Sequence, residues 1–552
     1  MLLHIITDTI LLLAGLAGLI LAGRVYLHLL QLSSYQFAGY FRTLKSRISQ
    51  YGLHTGLLVL AVGRIYCDQQ SMEPPFWLKL LILVFQLFLL LQYKPRQEKK
   101  PFVVTARIKR LMAMLVVLFL ISFGIGSGVC AVQPRFLVGA VWVTLLWLAI
   151  LPLFVAFGAV LMVPIEKMIN NWYIHDAWRR LAAHPGLRII GITGSYGKTS
   201  MKTALATLLS EGYRVLATPA SYNTPMGVVR TIREQLTQMH EIFLCEMGAR
   251  HVHDIRELTD IVHPDDGILT AIGEQHLETF GSLERITATK YELFDAVWEK
   301  RSQAQKVGPA SHLMLANIDS EPVWQELCAR KYPPEAGVIT YGFREEAAYR
   351  AQDVHVTPEG TDFTVSAPDG STTQFHTKLM GRHNVINITG AIAMSHELGI
   401  PMKKLAAAVR RVEGAEHRLQ LVRQSPQVSI LDDAYNSNPA GAKAALEVLS
   451  LMGDSDGRLK ILVTPGMVEL GDRQAALNRV FGEQAAAVCD HILIVGKTNA
   501  QAIKEGTKDA GFSEERLHLF GSFAEAAQEM VRLDAGRSRV ILLENDLPDD
   551  YK

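Results

Sequence analysis

Arg188-Ile-Ile-Gly-Ile-Thr-Gly-Ser-Tyr-Gly-Lys-Thr-Ser200 reads as a strand that runs into a glycine-rich turn and out into a helix. Residues 187–192 form an apolar run of strand length, and a helical pattern follows over 201–209. That order is the strand–loop–helix of a phosphate-binding loop. Gly194 and Gly197 let backbone N–H groups approach phosphate oxygens, and the new helix aims its positive end at them. Lys198 reaches the β- and γ-phosphates, and the Thr199 hydroxyl holds Mg²⁺. The nucleotide-binding set here is Thr193, Gly194, Ser195, Gly197, Lys198, Thr199 and Ser200. Ile192 stands where the longer pattern has Gly, so this is the shorter variant Thr-Gly-x-x-Gly-Lys-Thr. The bland alternative is an ordinary tight turn between strand and helix.

The chain has 552 residues, enough for two to four domains, and 49% of them are hydrophobic, enough for a large core. A net charge of +1 gives no global pull toward nucleic acid. Cys67, Cys130, Cys245, Cys328 and Cys489 are dispersed with no Cys-x-x-Cys pair, which argues against a zinc ribbon and fits reduced thiols facing the cytosol.

Apolar runs crowd the first third. Candidate spans are 5–23, 53–66, 76–93, 111–132 and 137–164, each near the ~20 residues that cross a bilayer. The second is short and carries Arg64. The first lacks a small-residue cleavage site and reads as a retained span. Arg24, Arg42, Lys45 and Arg47 lie in one loop, and Lys94, Arg96, Lys99, Lys100, Arg107, Lys109 and Arg110 in another. Between them, 67–75 has only Asp68 and Glu73, and the short turn 133–136 has Arg135 alone. Five spans with the N-terminus outside put both basic loops in the cytoplasm, and everything after Glu166 with them. No interior carboxylate or His chain stands out as a transport path. Residues 170–185, with Trp172, Tyr173 and Trp178, read as an amphipathic linker helix.

After the loop, strand and helix alternate, which argues for a parallel α/β sheet with ligands at the open strand ends. Three features fall at such ends. An apolar strand stops at Glu246-Met-Gly-Ala, where the carboxylate is placed to hold Mg²⁺ or is simply solvated. A second strand leads to His276-Leu-Glu-Thr-Phe-Gly-Ser282, where His276 completes a metal site, orients a phosphate, or caps the surface. Lys290-Tyr-Glu-Leu-Phe lies early in a helix, where its lysine is a site residue or simply a solvated helix charge.

Taken as an ordered set, Thr193–Thr199, Glu246-Met-Gly-Ala, the His276 motif and Lys290-x-Glu-Leu-Phe resemble the Mur ligases. The resemblance is nearest to the MurF type, which joins D-Ala-D-Ala to the UDP-muramoyl tripeptide. Further matches stay in register: Ser221-Tyr-Asn223-Thr-Pro-Met-Gly227, Asn317-Ile-Asp319, Gly381-Arg-His383-Asn384-Val-Ile-Asn387, Glu413-Gly-Ala-Glu416-His-Arg418, Asp433-Ala-Tyr-Asn436-Ser-Asn438-Pro439 and Gly466-Met-Val-Glu469-Leu-Gly471. The resemblance implies roles. Thr199, Glu246 and His276 would sit at Mg²⁺, and Lys198 would neutralise the γ-phosphate. Lys290 matches a lysine that family members carry as a carbamate. Asn384 would contact adenine, Arg418 a phosphate and Asp433 the ribose. Lys198, Lys290 and His276 form the catalytic set, and ATP and Mg²⁺ the cofactors.

The chain departs from the family in two places. Membrane spans stand where soluble Mur ligases have a small UDP-gripping domain, which puts a UDP-linked substrate in doubt. The end, Leu543-Glu-Asn-Asp-Leu-Pro-Asp-Asp-Tyr551, is acidic where MurF-like chains are basic. The expected layout is a transmembrane region over 1–165, a linker helix over 166–186, an α/β phosphate-loop Mur central domain over 187–414 and a Rossmann-like domain over 415–552. The expected function is a multi-pass inner-membrane ligase with its catalytic domains in the cytoplasm. It joins a carboxylate on a cell-wall precursor or polymer end to an amino acid or peptide amine, beside membrane lipid and without nucleic acid. The alternatives are a poly-γ-glutamate synthase-type polymer ligase and a non-catalytic nucleotide-binding membrane scaffold.

Overall fold

The computed structural model describes residues 2–33, 35–46, 52–70, 72, 74–93, 101–130, 136–219, 222–303, 312–415, 417–425, 427–435, 437–455, 457–533 and 536–546. Among the residues singled out above, Arg47, Glu73, Lys94, Arg96, Lys99, Lys100, Arg135, Ser221, Glu416, Asn436 and the acidic end beyond Asp546 lie outside the described residues. The chain divides into two units, Met1–Trp172 and Tyr173–Lys552.

The first unit is helical: α1 (Leu2–Leu32), α2 (Phe37–Ser46), α3 (Gly52–Gln69), α4 (Phe76–Gln92), α5 (Ala106–Cys130) and α6 (Phe136–Ala182), whose last turns pass into the second unit. Leu3–Leu32, Ala106–Ile125 and Leu137–Ala182 are long and apolar enough to cross a membrane, and Phe76–Gln92 is apolar but shorter. The second expected span, 53–66, falls on α3, which carries His54, Arg64 and Asp68. The separate linker helix is not seen. Instead α6 runs on to Ala182, bending at Ile150 beside Pro152.

The interior of this unit is more ionic than its sequence suggests. Arg64 donates to Asp68 at 2.8 Å and to both Asp8 oxygens at 3.2 Å. Lys79 pairs with Asp8 at 2.9 Å, and the Trp142 indole N–H donates to Asp68 at 2.8 Å. Elsewhere in the core, Tyr26, His54 and Tyr93 form a closed ring of contacts at 2.9, 2.7 and 2.6 Å. Asp8 and Asp68 are interior carboxylates of this unit, held by Arg64 and Lys79. Residues far apart in sequence, each unremarkable alone, meet only once the helices pack.

The second unit holds two sheets. Strands β1 (Arg188–Thr193), β2 (Val215–Ala217), β3 (Ile242–Glu246), β4 (Asp266–Leu269), β5 (Met314–Asn317), β6 (Val338–Gly342), β7 (Tyr349–Thr357), β8 (Gly360–Ser366) and β9 (Thr372–Thr377) form one sheet in the order β2-β3-β1-β4-β5-β6-β7-β8-β9. It is parallel through β7, then antiparallel through the meander β7-β8-β9. The second sheet contains β10 (Gln420–Gln424), β11 (Val428–Asp433), β12 (Leu459–Thr464), β13 (His491–Val495), β14 (Leu517–Phe520) and β15 (Arg539–Glu544), ordered β10-β11-β15-β12-β13-β14. Only β10, at the edge, is antiparallel. The central parallel strands are mostly apolar because helices cover both faces. One such cover is α7 (Lys198–Leu209), which buries Met201, Ala204, Leu205 and Leu208.

Candidate active site

Register builds the site. β1 lies between β3 and β4, pairing Ile192 with Glu246 and Thr193 with Leu269. Three neighbouring strands therefore end at one level, and the loop 194–197, Glu246 and the segment 270–276 leave the sheet side by side. The loop is held from β4. Ser195 and Tyr196 donate their N–H groups to Ala271 O at 2.8 and 3.1 Å, and Thr270 Oγ1 donates to Tyr196 O at 2.6 Å. Gly194 has φ +150°, and a Cβ there would stand 2.0 Å from Thr270 Oγ1. Gly197 has φ +81°, and its Cβ would stand 2.6 Å from Asn387 Oδ1. Both glycines are thus required by close approach as well as by φ. The first N–H groups of α7 follow at once, with no partner further back in the helix, as at any helix start.

Lys198 folds over the loop, donating to Gly194 O at 2.6 Å and Ser195 O at 3.0 Å. Enclosure lowers its pKa to about 8, offset in part by Glu246 and reinforced by Arg418. Thr199 Oγ1 donates to Glu246 Oε1 at 3.1 Å. Lys290 is buried, and desolvation, then the nearby Lys198 charge, hold its pKa well below the usual lysine range. His276, in a left-handed conformation at φ 54°, has its pKa lowered by burial and feels Lys198 as well. Lys198 is therefore the hub. Glu246, Arg418, His276 and Lys290 all lie within reach of its charge.

The second sheet meets this cluster. His276 Nδ1 lies 2.5 Å from Glu469 Oε2. A carboxylate only accepts, so Nδ1 carries the hydrogen and the Nε2 lone pair is left free for other work. Hydrogen bonding to His276 lowers the Glu469 pKa. Glu274 and Arg473 form an ion pair beside it. Asp433 accepts from the Leu419 N–H at 3.0 Å, and burial pushes its pKa up to about 6. Burial, then the Asp433 charge, pushes its partner Glu544 well above the usual range. The Arg418 guanidinium stacks over Tyr435 at 4.5 Å. Asn384 donates to Met380 O at 2.9 Å.

Of the three expected cation ligands, Thr199 and Glu246 touch, whereas His276 gives Nδ1 to Glu469. Thr199 and Glu246 offer the hard oxygen donors that magnesium takes together with phosphate oxygens and water. Among the described residues no group of three or more His, Cys, Asp or Glu gathers to hold a metal. The donor chemistry fits Mg²⁺.

Four residues at the site had no role in the sequence reading. Lys202 pairs with Glu246 Oε2 at 2.8 Å, and Asn223 Nδ2 donates to Glu246 Oε1 at 3.2 Å. Asn387 abuts Gly197, and Glu469 holds His276. The signal for Lys202 was a charge on the buried face of α7. The other three stood inside quoted motifs.

Comparison with known proteins follows the same lines. Residues 192–395 match the family model of the Mur ligase middle domain, and residues 417–544 that of the Mur ligase glutamate ligase domain. The UDP-N-acetylmuramoyl-tripeptide–D-alanyl-D-alanine ligase of Bacillus subtilis is 30% identical over 364 residues, covering 65% of this chain and 72% of that protein. The protein of the same name from Escherichia coli is 29% identical over 368 residues, 62% of this chain and 76% of its own. Among solved structures, MurF from Acinetobacter baumannii superposes with a TM-score of 0.59 at 25% identity, covering 68% of this chain and 77% of that one. MurF from Thermotoga maritima, solved in complex with ADP, shares the fold with a TM-score of 0.56 at 23% identity, over 68% of this chain and 80% of its own.

Proposed function

The chain belongs to the Mur ligase family, and from that premise we propose that it is a membrane-anchored, MurF-like amide ligase of cell-envelope synthesis. As a member of the family it is an ATP-dependent, ADP-forming ligase. The finer reading concerns what is joined and how. The γ-phosphoryl group passes to an oxygen of a substrate carboxylate, giving an acyl phosphate and ADP. An amine nitrogen then attacks the acyl carbon, the C–O bond to phosphate breaks, and the nitrogen loses a proton. The products are an amide, ADP and phosphate.

The observation that carries this is the register of β1 with β3 and β4, which sets the phosphate loop with Lys198 folded over it beside Glu246, in contact with Thr199 at 3.1 Å, and beside the segment that leads to His276. Phosphoryl transfer asks a protein mainly for positioning and positive charge. The N–H groups at the start of α7 and the Lys198 ammonium receive the phosphates. Thr199 and Glu246 would hold Mg²⁺, which when bound offsets charge developing on the transferring phosphoryl group. Arg418, Asn384 and Asp433 complete the nucleotide site, and the neutral amine of Lys290 is the form that combines with CO₂. His276, its tautomer set by Glu469, offers Nε2 as a ligand or proton acceptor. Contacts between the two sheets, His276 with Glu469 and Glu274 with Arg473, would close the site against water.

The apolar helices α1, α5 and α6 support anchoring in the inner membrane, and the distribution of Lys and Arg supports catalytic domains in the cytoplasm. A carboxylate on a cell-wall precursor or polymer end at the membrane surface, joined to an amino acid or peptide amine, suits such an enzyme. Purified full-length protein is expected to release phosphate from ATP only when a carboxylate and an amine are both supplied. Lys198→Ala should lower that rate by at least about 10²–10³-fold while the chain still inserts into membranes. Unchanged turnover in Lys198→Ala would remove the assigned site, and a product ladder in place of one amide would mark a polymer ligase.

A further inference from the structure

We propose that Lys202 is a positioning residue that keeps the Glu246 cation site weak until nucleotide arrives. This rests on the reading of Thr199 and Glu246 as the Mg²⁺ ligands. Lys202 lies one helical turn beyond Lys198, on the face of α7 that is otherwise apolar. Its ammonium donates to Glu246 Oε2 at 2.8 Å, and the two side chains are only 6% and 2% exposed. The other oxygen, Oε1, receives Thr199 Oγ1 at 3.1 Å and Asn223 Nδ2 at 3.2 Å. The Glu246 N–H donates to Thr218 Oγ1 at 3.1 Å, so the backbone under the carboxylate is tied as well.

The carboxylate is therefore divided. One oxygen faces the Thr199 hydroxyl, where a cation would bind, and the other is already committed to an ammonium. In an enclosed site of low dielectric, that ammonium both neutralises the only carboxylate of the pair and repels a divalent ion placed beside it. A cation without nucleotide thus gains little. ATP changes the balance in two ways: it brings its own oxygen ligands, and it supplies negative charge that Lys198 and Lys202 share. The cation and the nucleotide then enter together.

A purely structural role for Lys202, neutralising a buried acid, makes the opposite forecast for metal binding. Removing the lysine would loosen Glu246 and leave metal affinity equal or lower. The two are separated by titrating Mn²⁺ against detergent-solubilised full-length protein without nucleotide, reading free Mn²⁺ by electron paramagnetic resonance. Lys202→Met leaves Glu246 buried without its partner, so Lys202→Gln, whose amide still donates to Oε2, is measured beside it. Both variants should bind Mn²⁺ about tenfold or more tightly than wild type, and Mn²⁺ should raise their melting temperature while leaving the nucleotide-free wild type unmoved. Adding Thr199→Ala to Lys202→Gln should erase the gain. Equal or weaker Mn²⁺ binding in Lys202→Gln overturns the proposal, and so does a gain that survives Thr199→Ala. The titration needs no turnover. A wild type that binds Mn²⁺ with ATP yet forms no amide would sink the ligase reading and leave this result standing.

Discussion

In the helical unit, Asp8 and Asp68 face Arg64 and Lys79, so two acids meet two bases and the cluster is neutral within itself. In the α/β unit, Lys198 and Lys202 share the Glu246 carboxylate beside the phosphate loop, while Arg418 lies near Asp433 and Glu544 and the Lys290 amine near Asp254 and Glu292. Both sets pack ionisable groups into poorly solvated surroundings, at considerable cost in desolvation. The difference lies in what is left over. A balanced cluster asks for nothing outside the protein and fixes how helices meet. A cluster rich in cations is complete only when an anion joins it, and a triphosphate is the anion that the loop beside it is shaped to take. Buried charge alone does not mark a functional site; unbalanced buried charge beside an open strand end does.

The largest expected effect breaks the balanced side. Arg64→Leu strands Asp68, leaves Asp8 to Lys79 alone, and should cost about 3–5 kcal/mol of stability in the helical unit, read by unfolding of the solubilised protein. ATP binding by the α/β unit should stay intact, and a loss of both together would erase the distinction drawn here. Next comes the link between the two sheets. Glu469→Gln should lower kcat by about 10–100-fold with little change in KM for ATP, because the amide no longer dictates which His276 nitrogen carries the proton. A rise in KM alone would make Glu469 a docking contact only. Smaller still is a proton count. The Lys198 ammonium, with a pKa near 8 in the free protein, should be pushed upward by bound phosphate. ATP binding at pH 8 should therefore take up protons, seen as a binding heat that depends on the buffer, and the uptake should vanish in Lys198→Met.

The least effect is expected at Asp433. Its folded pKa of about 6 stands above the ordinary 3.8, so the fold favours the neutral acid. The stability it contributes is fully present below the ordinary value and is lost as pH rises through about 6. Asp433→Asn should then match wild type at pH 4 and melt about 2–4 °C higher at pH 8, even as nucleotide binding weakens. A variant that melts lower at pH 8 would mean Asp433 is held there as a paired anion.

Much of the α/β unit was legible because its code is local. The alternation of strand and helix read after the phosphate loop appears in both sheets, since parallel strands such as β13 and β15 are short, largely apolar runs bounded by turns. The edge strand β10 carries a weaker signal: Gln420–Gln424 mixes polar and apolar residues and pairs on one side only. The helical unit was legible as apolar lengths but not as an interior. Nothing in the spacing of Asp8, Arg64, Asp68 and Lys79 says that they meet.

By itself the sequence determined the phosphate loop, the strand-end residues Glu246 and His276, the apolar helices and the family. These are patterns read within a few residues of one another, or in the order of motifs along the chain. The tertiary structure alone decided which groups share a charge environment: Lys202 on Glu246, Glu469 on His276, Arg418 near Lys198, and the Asp8–Arg64–Asp68–Lys79 cluster. Coulombic and hydrogen-bond energies depend on distances of a few ångströms between atoms from separate strands and helices. Those distances are set by sheet register and helix packing, which no local pattern contains.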